Sequence, residues 1–186
     1  PKGVPLSHRN LSFQLTTVRQ TGVVKPNDRV LLPLPLHHVY PFVIGMLVPL
    51  GMGLPIILPA SLTGPQILKA IREQQATVII GVPRLYRALL AGIVSRAEEQ
   101  GPAARMFFQG VLAFSTLLRR RFGLSAGRLL LRSIHRRFGP SLRILASGGS
   151  ALDPQLAWQL EGMGWQVAVG YGLTETSPLL TVKLPG

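Results

Sequence analysis

Apolar and polar positions alternate along the chain in two different periods. Over residues 7–20, Leu11, Leu15 and Val18 fall on one face at helical spacing and predict a helix. Asp28 and Arg29 then lead into Val30-Leu31-Leu32, an apolar run closed by Pro33 and Pro35 that predicts a buried strand. The apolar segment 39–50 predicts a helix, and 54–58, set among prolines, a short strand. Thr63 is placed to cap a helix over 65–75, with Pro65 near its first position, where the missing N–H costs nothing. The β-branched run 77–80 predicts a strand, and Pro83 opens a helix that continues through residue 97. Two basic helices are expected over 103–122 and 125–138, then a strand over 142–146. Asp153 and Pro154 form an N-cap and first-turn pair for a helix ending near residue 162, and 167–169 is the last expected strand.

Strands that alternate with helices in this way argue for the α/β class, with parallel-sheet-rich layers covered by helices. No internal repeat or low-complexity segment interrupts the pattern, and Gly101-Pro102 marks a loop. A chain of 186 residues is long enough for one sizeable core and one domain.

One stretch requires a membrane test, because residues 30–68 contain no Asp, Glu, Lys or Arg. A spanning helix needs roughly 20 predominantly apolar residues. Here Pro41, Gly45, Pro49, Gly51, Gly53, Pro55 and Pro59 punctuate the run, so a buried helix followed by a buried strand is expected instead.

Composition narrows the function classes. With 47% hydrophobic residues and a positive mean hydropathy, the chain is too apolar to be disordered. It has no cysteine, which excludes a disulfide framework, a thiolate metal site and a cysteine nucleophile, and fits a cytoplasmic setting. Twenty basic against 7 acidic residues give a formal charge of +13, which favours phosphate-rich partners: nucleotide, CoA, nucleic acid or an anionic membrane. Aromatic residues make up only 6% and do not interleave with the basic ones, so a nucleic-acid stacking platform is not expected. Pro1-Lys2-Gly3-Val4 has neither a charged leader nor an apolar one, so no signal peptide is expected, and the chain is expected to begin inside a longer protein.

Four segments carry candidate chemistry. Gly170-Tyr171-Gly172-Leu173-Thr174-Glu175-Thr176-Ser177-Pro178 follows an apolar strand, and ligands of open parallel sheets bind at such carboxyl ends. Its glycines permit close backbone approach, Thr174 and Thr176 could hydrogen-bond phosphate, and Glu175 is a hard oxygen ligand suited to Mg²⁺. A tight turn with a solvated Glu accounts equally well for the spacing. Ala146-Ser147-Gly148-Gly149-Ser150-Ala151-Leu152-Asp153-Pro154 also follows a strand and could admit a flat ring against bare backbone, or be an ordinary strand-to-helix turn. In Leu34-Pro35-Leu36-His37-His38-Val39-Tyr40, adjacent histidines with no acidic or thiol partner at ligand spacing argue for a neutral His at a pocket lip rather than zinc. Pro1-Lys2-Gly3-Val4 means little in isolation. No Walker A pattern, no G-x-G-x-x-G and no G-x-S-x-G occurs.

In their order and rough spacing these segments resemble the adenylate-forming superfamily of acyl-CoA synthetases, luciferases and peptide-synthetase adenylation domains. Pro1-Lys2-Gly3-Val4 looks like the tail of its phosphate loop, and Leu34-Pro35-Leu36-His37-His38 is similar to its Pro-Leu-x-His segment. Ser147-Gly148-Gly149-Ser150-Ala151-Leu152 resembles its adenine-contacting turn, with Ser150-Ala151 where the family often has Ala-Pro. Gly170-Tyr171-Gly172-Leu173-Thr174-Glu175 matches its Tyr-Gly-x-Thr-Glu signature. Gly81-Val82-Pro83-Arg84-Leu85-Tyr86 and the basic helical insert look like the long-chain fatty acid branch.

The resemblance covers residues 1–186 and implies a fragment of the large N-terminal adenylation domain. It further implies ATP-dependent activation of a carboxylic acid to an acyl-adenylate, followed by transfer to CoA, with Mg²⁺ as cofactor. By the same resemblance, Thr174 would bond phosphate, Glu175 would bind the metal and Lys2 would be the surviving base of the phosphate loop. Tyr171 would lie against adenine, with Gly149, Ser150 and Ala151 along the base and Gly170, Gly172 and Leu173 in the nucleotide-binding turn. His38 would flank the acyl pocket. The rest of the phosphate loop, the ribose-binding Tyr-x-Thr-Gly-Asp segment and the C-terminal domain with its catalytic Lys are expected outside the chain, which alone should then be inactive.

Two other readings compete: a non-catalytic nucleotide or acyl-adenylate binding module, and a basic protein that binds RNA or membrane. In the insert, Arg128, Arg132 and Arg136 recur every four residues beside a stripe of Leu130, Ile134 and Phe138. That pattern fits a core-facing helix with a solvated basic face, or a peripheral contact with an anionic membrane.

Overall fold

A computed structural model describes residues 3–183. Helix α1 (His8–Gln20) opens with a reciprocal cap: Ser7 Oγ accepts from the Asn10 N–H at 3.3 Å, and Asn10 Oδ1 accepts from the Ser7 N–H at 2.9 Å. Strand β1 (Val30–Leu31) follows, then an apolar helical segment and β2 (Ile56–Ile57). Helix α3 (Gly64–Glu73), β3 (Val78–Gly81) and α4 (Pro83–Glu99) continue the alternation. Helices α5 (Pro102–Phe122), α6 (Gly127–Leu130) and α7 (Arg132–Phe138) form the insert before β4 (Ile144–Ser147). Helix α8 (Pro154–Gly162), β5 (Gln166–Tyr171), a 3₁₀ turn (Thr174–Thr176) and β6 (Thr181–Lys183) complete the described residues.

The strands form one sheet in the order β2-β1-β3-β4-β5-β6, parallel except for β6. Its two faces follow from the period of two along each strand. Leu31, Ile79, Leu145 and Val167 sit abreast in register on one face, in a core shared with α3, α4, α5 and α8. Val30, Val78, Ile144 and Ala168 turn the other way, into a smaller core with Tyr40 and Ile44. Both faces are covered, which is why the strands read as continuous apolar runs.

The amino ends of β1, β3 and β4 are tied together by one buried carboxylate. Asp28 accepts from the Lys25 N–H at 2.7 Å and the Thr77 hydroxyl at 2.6 Å, and pairs with Arg143 through Nε at 3.0 Å and through Nη2. Burial alone would raise its pKa, but Arg143 and the hydrogen bonds outweigh it and hold the carboxyl below its ordinary value.

Several sequence expectations change in detail. The helix expected over 39–50 is a π-helix (Pro41–Leu47) running into α2 (Val48–Gly51). Pro49 lacks the N–H that a regular turn would use, and a widened turn before it absorbs the mismatch. Thr63 stands at the N-cap position of α3, but its side chain makes no capping bond. Its hydroxyl instead lies 3.1 Å from that of Ser61.

The helix expected over 125–138 breaks at Leu131, which is buried. The break turns His135 inward and lets Arg128 reach the carbonyls of Leu142 (3.0 Å) and Pro140 (2.5 Å). Ile134 and Phe138 pack on the core, whereas Leu130 is exposed, so the apolar stripe read from the sequence is divided. Strand β6 was not anticipated, since three residues with one partly buried side chain carry little pattern. Asp153 caps α8 as expected, accepting from the Gln155 N–H at 2.9 Å. No helix among the described residues is long and apolar enough to cross a membrane.

Candidate functional site

The carboxyl ends of β3, β4 and β5 open onto a cleft of about 610 Å³. Three of the four segments singled out in the sequence converge there. His38 with Leu34 and Pro35 comes from the loop after β1, Gly148, Gly149 and Ser150 from the turn after β4, and the whole of 170–175 from the end of β5 and the 3₁₀ turn. Ala151 is exposed and does not line the cleft. Lys2, the remaining candidate, lies outside the described residues.

Each wall has a local cause. The phenol of Tyr40 donates to the Ala146 carbonyl at 3.1 Å, which holds its ring beside the turn after β4. A Cβ on Gly148 would sit 2.7 Å from that ring, so only glycine fits. Gly149 follows at φ +79°, a conformation that side chains disfavour. Tyr86, from α4, donates to the same Ala146 carbonyl at 2.6 Å and lies 3.0 Å from that of Ile79. Burial raises both phenols above their ordinary pKa, so each stays a neutral donor.

The turn after β5 is held from several sides. A Cβ on Gly172 would lie 1.6 Å from the Pro178 carbonyl oxygen, so glycine is obligatory where the strand doubles back. The Thr176 hydroxyl accepts from the Leu173 N–H at 2.9 Å and lies within donating distance of the Leu173 and Pro178 carbonyls, at 3.0 and 2.9 Å. Thr176, read alongside Thr174 as a phosphate-facing hydroxyl, is therefore committed to the turn. Thr174 and Glu175 are exposed at the cleft, and their side chains have no partner among the described residues. Tyr171 is likewise exposed, presenting an open aromatic face.

Gln14 was missed. It is a buried polar residue of α1 whose side-chain amide donates to the carbonyls of Thr176 (3.0 Å) and Leu179 (2.9 Å), clamping the signature turn to the helix. The available signal was a polar side chain three residues after Leu11 and four before Val18, inside an apolar face.

Behind Tyr40, Gly170 and Leu179, which border both spaces, lies a smaller cavity of about 80 Å³. Its walls include Val30, Ile44, Ile80, Ala146 and Ala168, and no charged residue lines it. Ser147 Oγ is buried on its wall and has no hydrogen-bond partner among the described residues.

Among the described residues the cleft lining holds one carboxylate, Glu175, and no Lys or Arg. No group of three or more potential metal ligands occurs among them, and the His37 and His38 rings, 4.2 Å apart, have no third partner. A single free carboxylate beside a free hydroxyl suits Mg²⁺, which takes one or two protein carboxylates and fills its shell with substrate phosphates and water.

The profile of the AMP-binding enzyme family matches residues 1–186. Long-chain-fatty-acid–CoA ligase 2 of Schizosaccharomyces pombe is 31% identical over 185 residues, covering 95% of this chain and 27% of that protein. The peroxisomal long chain acyl-CoA synthetase 6 of Arabidopsis thaliana is 31% identical over 189 residues, covering 97% and 26%. The chain thus spans about a quarter of the length of these relatives. Among solved structures, O-succinylbenzoate coenzyme A synthetase of Bacillus subtilis, in complex with ATP and magnesium, superposes on all of this chain and 30% of its own, with a TM-score of 0.68 and 19% identity. A fatty acyl CoA synthetase of Mycobacterium tuberculosis gives a TM-score of 0.68 at 22% identity, covering 100% and 29%. At these identities the structural likeness establishes the fold.

Proposed function

The chain belongs to the AMP-binding enzyme family, and from that membership we propose that the full protein activates a carboxylic acid, a long-chain fatty acid, with ATP and transfers the acyl group to CoA. A carboxylate oxygen attacks the α-phosphorus of ATP and pyrophosphate leaves. The CoA sulfur then attacks the acyl carbonyl, loses its proton, and AMP leaves. Such an enzyme works mainly by positioning its reactants and stabilising charge that develops on phosphate. The observation that carries the reading is the meeting of three separate segments at one cleft, on the carboxyl ends of parallel strands, with Thr174 and Glu175 free at its edge.

In this reading Tyr171 lies along the adenine, and Gly149 and Ser150 pass its edge with bare backbone. Thr174 bonds phosphate. Glu175 would hold Mg²⁺, which supplies charge neutralisation to the triphosphate. His38 flanks the entry of the acid, whose alkyl end begins in the apolar cavity behind Tyr40. That cavity is about half the roughly 150 Å³ of an apolar cavity that binds benzene, so the preference for a long chain rests on the relatives and not on its volume.

The chain is proposed to be part of a larger adenylation domain, with Lys2 and groups beyond residues 1–186 supplying the cations that the described lining lacks. That lack favours a second reading for the chain in isolation: nucleotide binding without turnover. A cytoplasmic setting, with peripheral contact to anionic membrane, completes the proposal. ATP–pyrophosphate exchange by the full protein, assayed across a series of fatty acids, tests it. Exchange that depends on the acid supports adenylation, whereas nucleotide binding without exchange for any acid leaves a binding module.

A further inference from the structure

Helix α5 has two apolar faces, and the described residues cover only one. Phe108 and Leu112 turn inward to the core, and Ser115 is buried with them, on the side where α5 packs along α8. On the opposite side Met106 and Phe107 are each 73% exposed, Leu117 57% and Phe114 55%. Gly110 and Ala113, between them, are exposed and add no polar group. At helical spacing these residues share an arc of about 120°. Phe122 at the end of α5, and Leu124 and Leu129 after it, are also exposed apolar side chains.

The segment that carries this face is charged with one sign. Residues 102–138 contain eight arginines and no Asp or Glu. Arg105 pairs with Glu98, Arg119 with Glu161, and Arg128 bonds the two carbonyls described above. The other five, Arg120, Arg121, Arg132, Arg136 and Arg137, are exposed and have no partner among the described residues. Arg121 falls on the same arc as Phe114 and Leu117, and Arg120 at its edge.

We propose that the outward face of α5, with the turn into α6, docks on an anionic lipid bilayer. Aromatic and aliphatic side chains enter the boundary between head groups and acyl chains while guanidinium groups engage the lipid phosphates. The residues differ from those the sequence pattern suggested, since the Arg128 guanidinium is engaged by two backbone carbonyls and Ile134 and Phe138 pack on the core. The surface serves the proposed fatty-acid activity by placing the enzyme where its insoluble substrate resides. It rests on that reading for its use, although its test does not.

The test is sedimentation of the full protein with vesicles of phosphatidylcholine alone or mixed with phosphatidylglycerol, at low and high salt. The expected result is binding to the anionic vesicles only. Binding should weaken by about tenfold or more in Arg120→Glu/Arg121→Glu, and in Phe107→Ser/Phe114→Ser/Leu117→Ser. Both variants should keep the parent melting temperature and keep ATP–pyrophosphate exchange with acid supplied in detergent. Parent protein that ignores anionic vesicles, or variants that bind them unchanged, would overturn the proposal. A lowered melting temperature in both variants would overturn it too, showing the face to be covered by protein. Exchange that fails while anionic binding persists would remove the activity reading and leave the docking surface in place.

Discussion

Gln14 and Thr176 are 162 residues apart in sequence, and the side-chain amide of one donates to the backbone carbonyl of the other at 3.0 Å. The same amide reaches Leu179 at 2.9 Å, so a helix near the start of the chain fixes the turn that carries Thr174 and Glu175. Replacing Gln14 by Met removes both donors at similar size and leaves two carbonyls without their partner, at a cost of about 1–3 kcal/mol. The expected kinetic effect is a raised KM for MgATP with a smaller change in the KM for the acid, measured by exchange in the full protein. Equal effects on both substrates would reduce Gln14 to a purely structural residue.

Gly172 offers a sharper geometric test. Its absent Cβ leaves room for the Pro178 carbonyl oxygen, which an alanine would meet at 1.6 Å. The backbone of Gly172→Ala must shift by an ångström or more, directly beside Thr174. Exchange is expected to fall on the order of a hundredfold, with circular dichroism showing the fold intact. Parent-like exchange would mean that this turn does not position the reactants.

Much of this architecture was legible because its cause is local. The alternation of strand and helix, the cap at Asp153 and the glycine-rich turns after β4 and β5 each depend on residues close in sequence. What could not be read was set at a distance. The break at Leu131 goes together with Arg128 bonding carbonyls 12 and 14 residues away, and the clamp at Gln14 depends on a turn from the far end of the chain. Thr176 shows the same limit within the site. Two threonines flank Glu175, and only the folded turn reveals that one of them has its hydroxyl already engaged.

Asp28 ties three strand starts together from the edge opposite the cleft, so its effect should be on stability rather than on chemistry. Asp28→Asn leaves the Arg143 guanidinium without its counter-charge and is expected to destabilise by about 2–4 kcal/mol. The folded carboxyl has a lowered pKa. The stability it contributes is therefore present above its unfolded pKa of about 3.9 and is lost as pH falls through the folded value. Urea unfolding at neutral pH, with the two proteins compared again in acid, should show a gap that narrows at low pH.

His135 gives a second, milder pH dependence. It is buried, with Nε2 2.7 Å from the Met163 carbonyl and Nδ1 without a partner among the described residues, and its ring stands edge-on to Trp165. Burial lowers its pKa, the Met163 bond raises it in part, and Arg128 lowers it further, for a net fall. The unfolded chain thus takes up the proton first, and stability is lost as pH drops below about 6.5. Melting temperature should decline between neutral pH and about pH 5, and His135→Phe should flatten that decline. Identical slopes would assign the acid sensitivity to other groups.

The central claim is that Glu175 and its turn serve acid adenylation. The most direct measurement is fatty-acid-dependent ATP–pyrophosphate exchange by the full protein, with and without Glu175→Ala, across a range of Mg²⁺ concentrations. The account predicts exchange that requires the acid, collapses in the variant and is partly restored by high Mg²⁺. Exchange unaffected by loss of Glu175, in protein shown to be folded and to bind ATP, would contradict it.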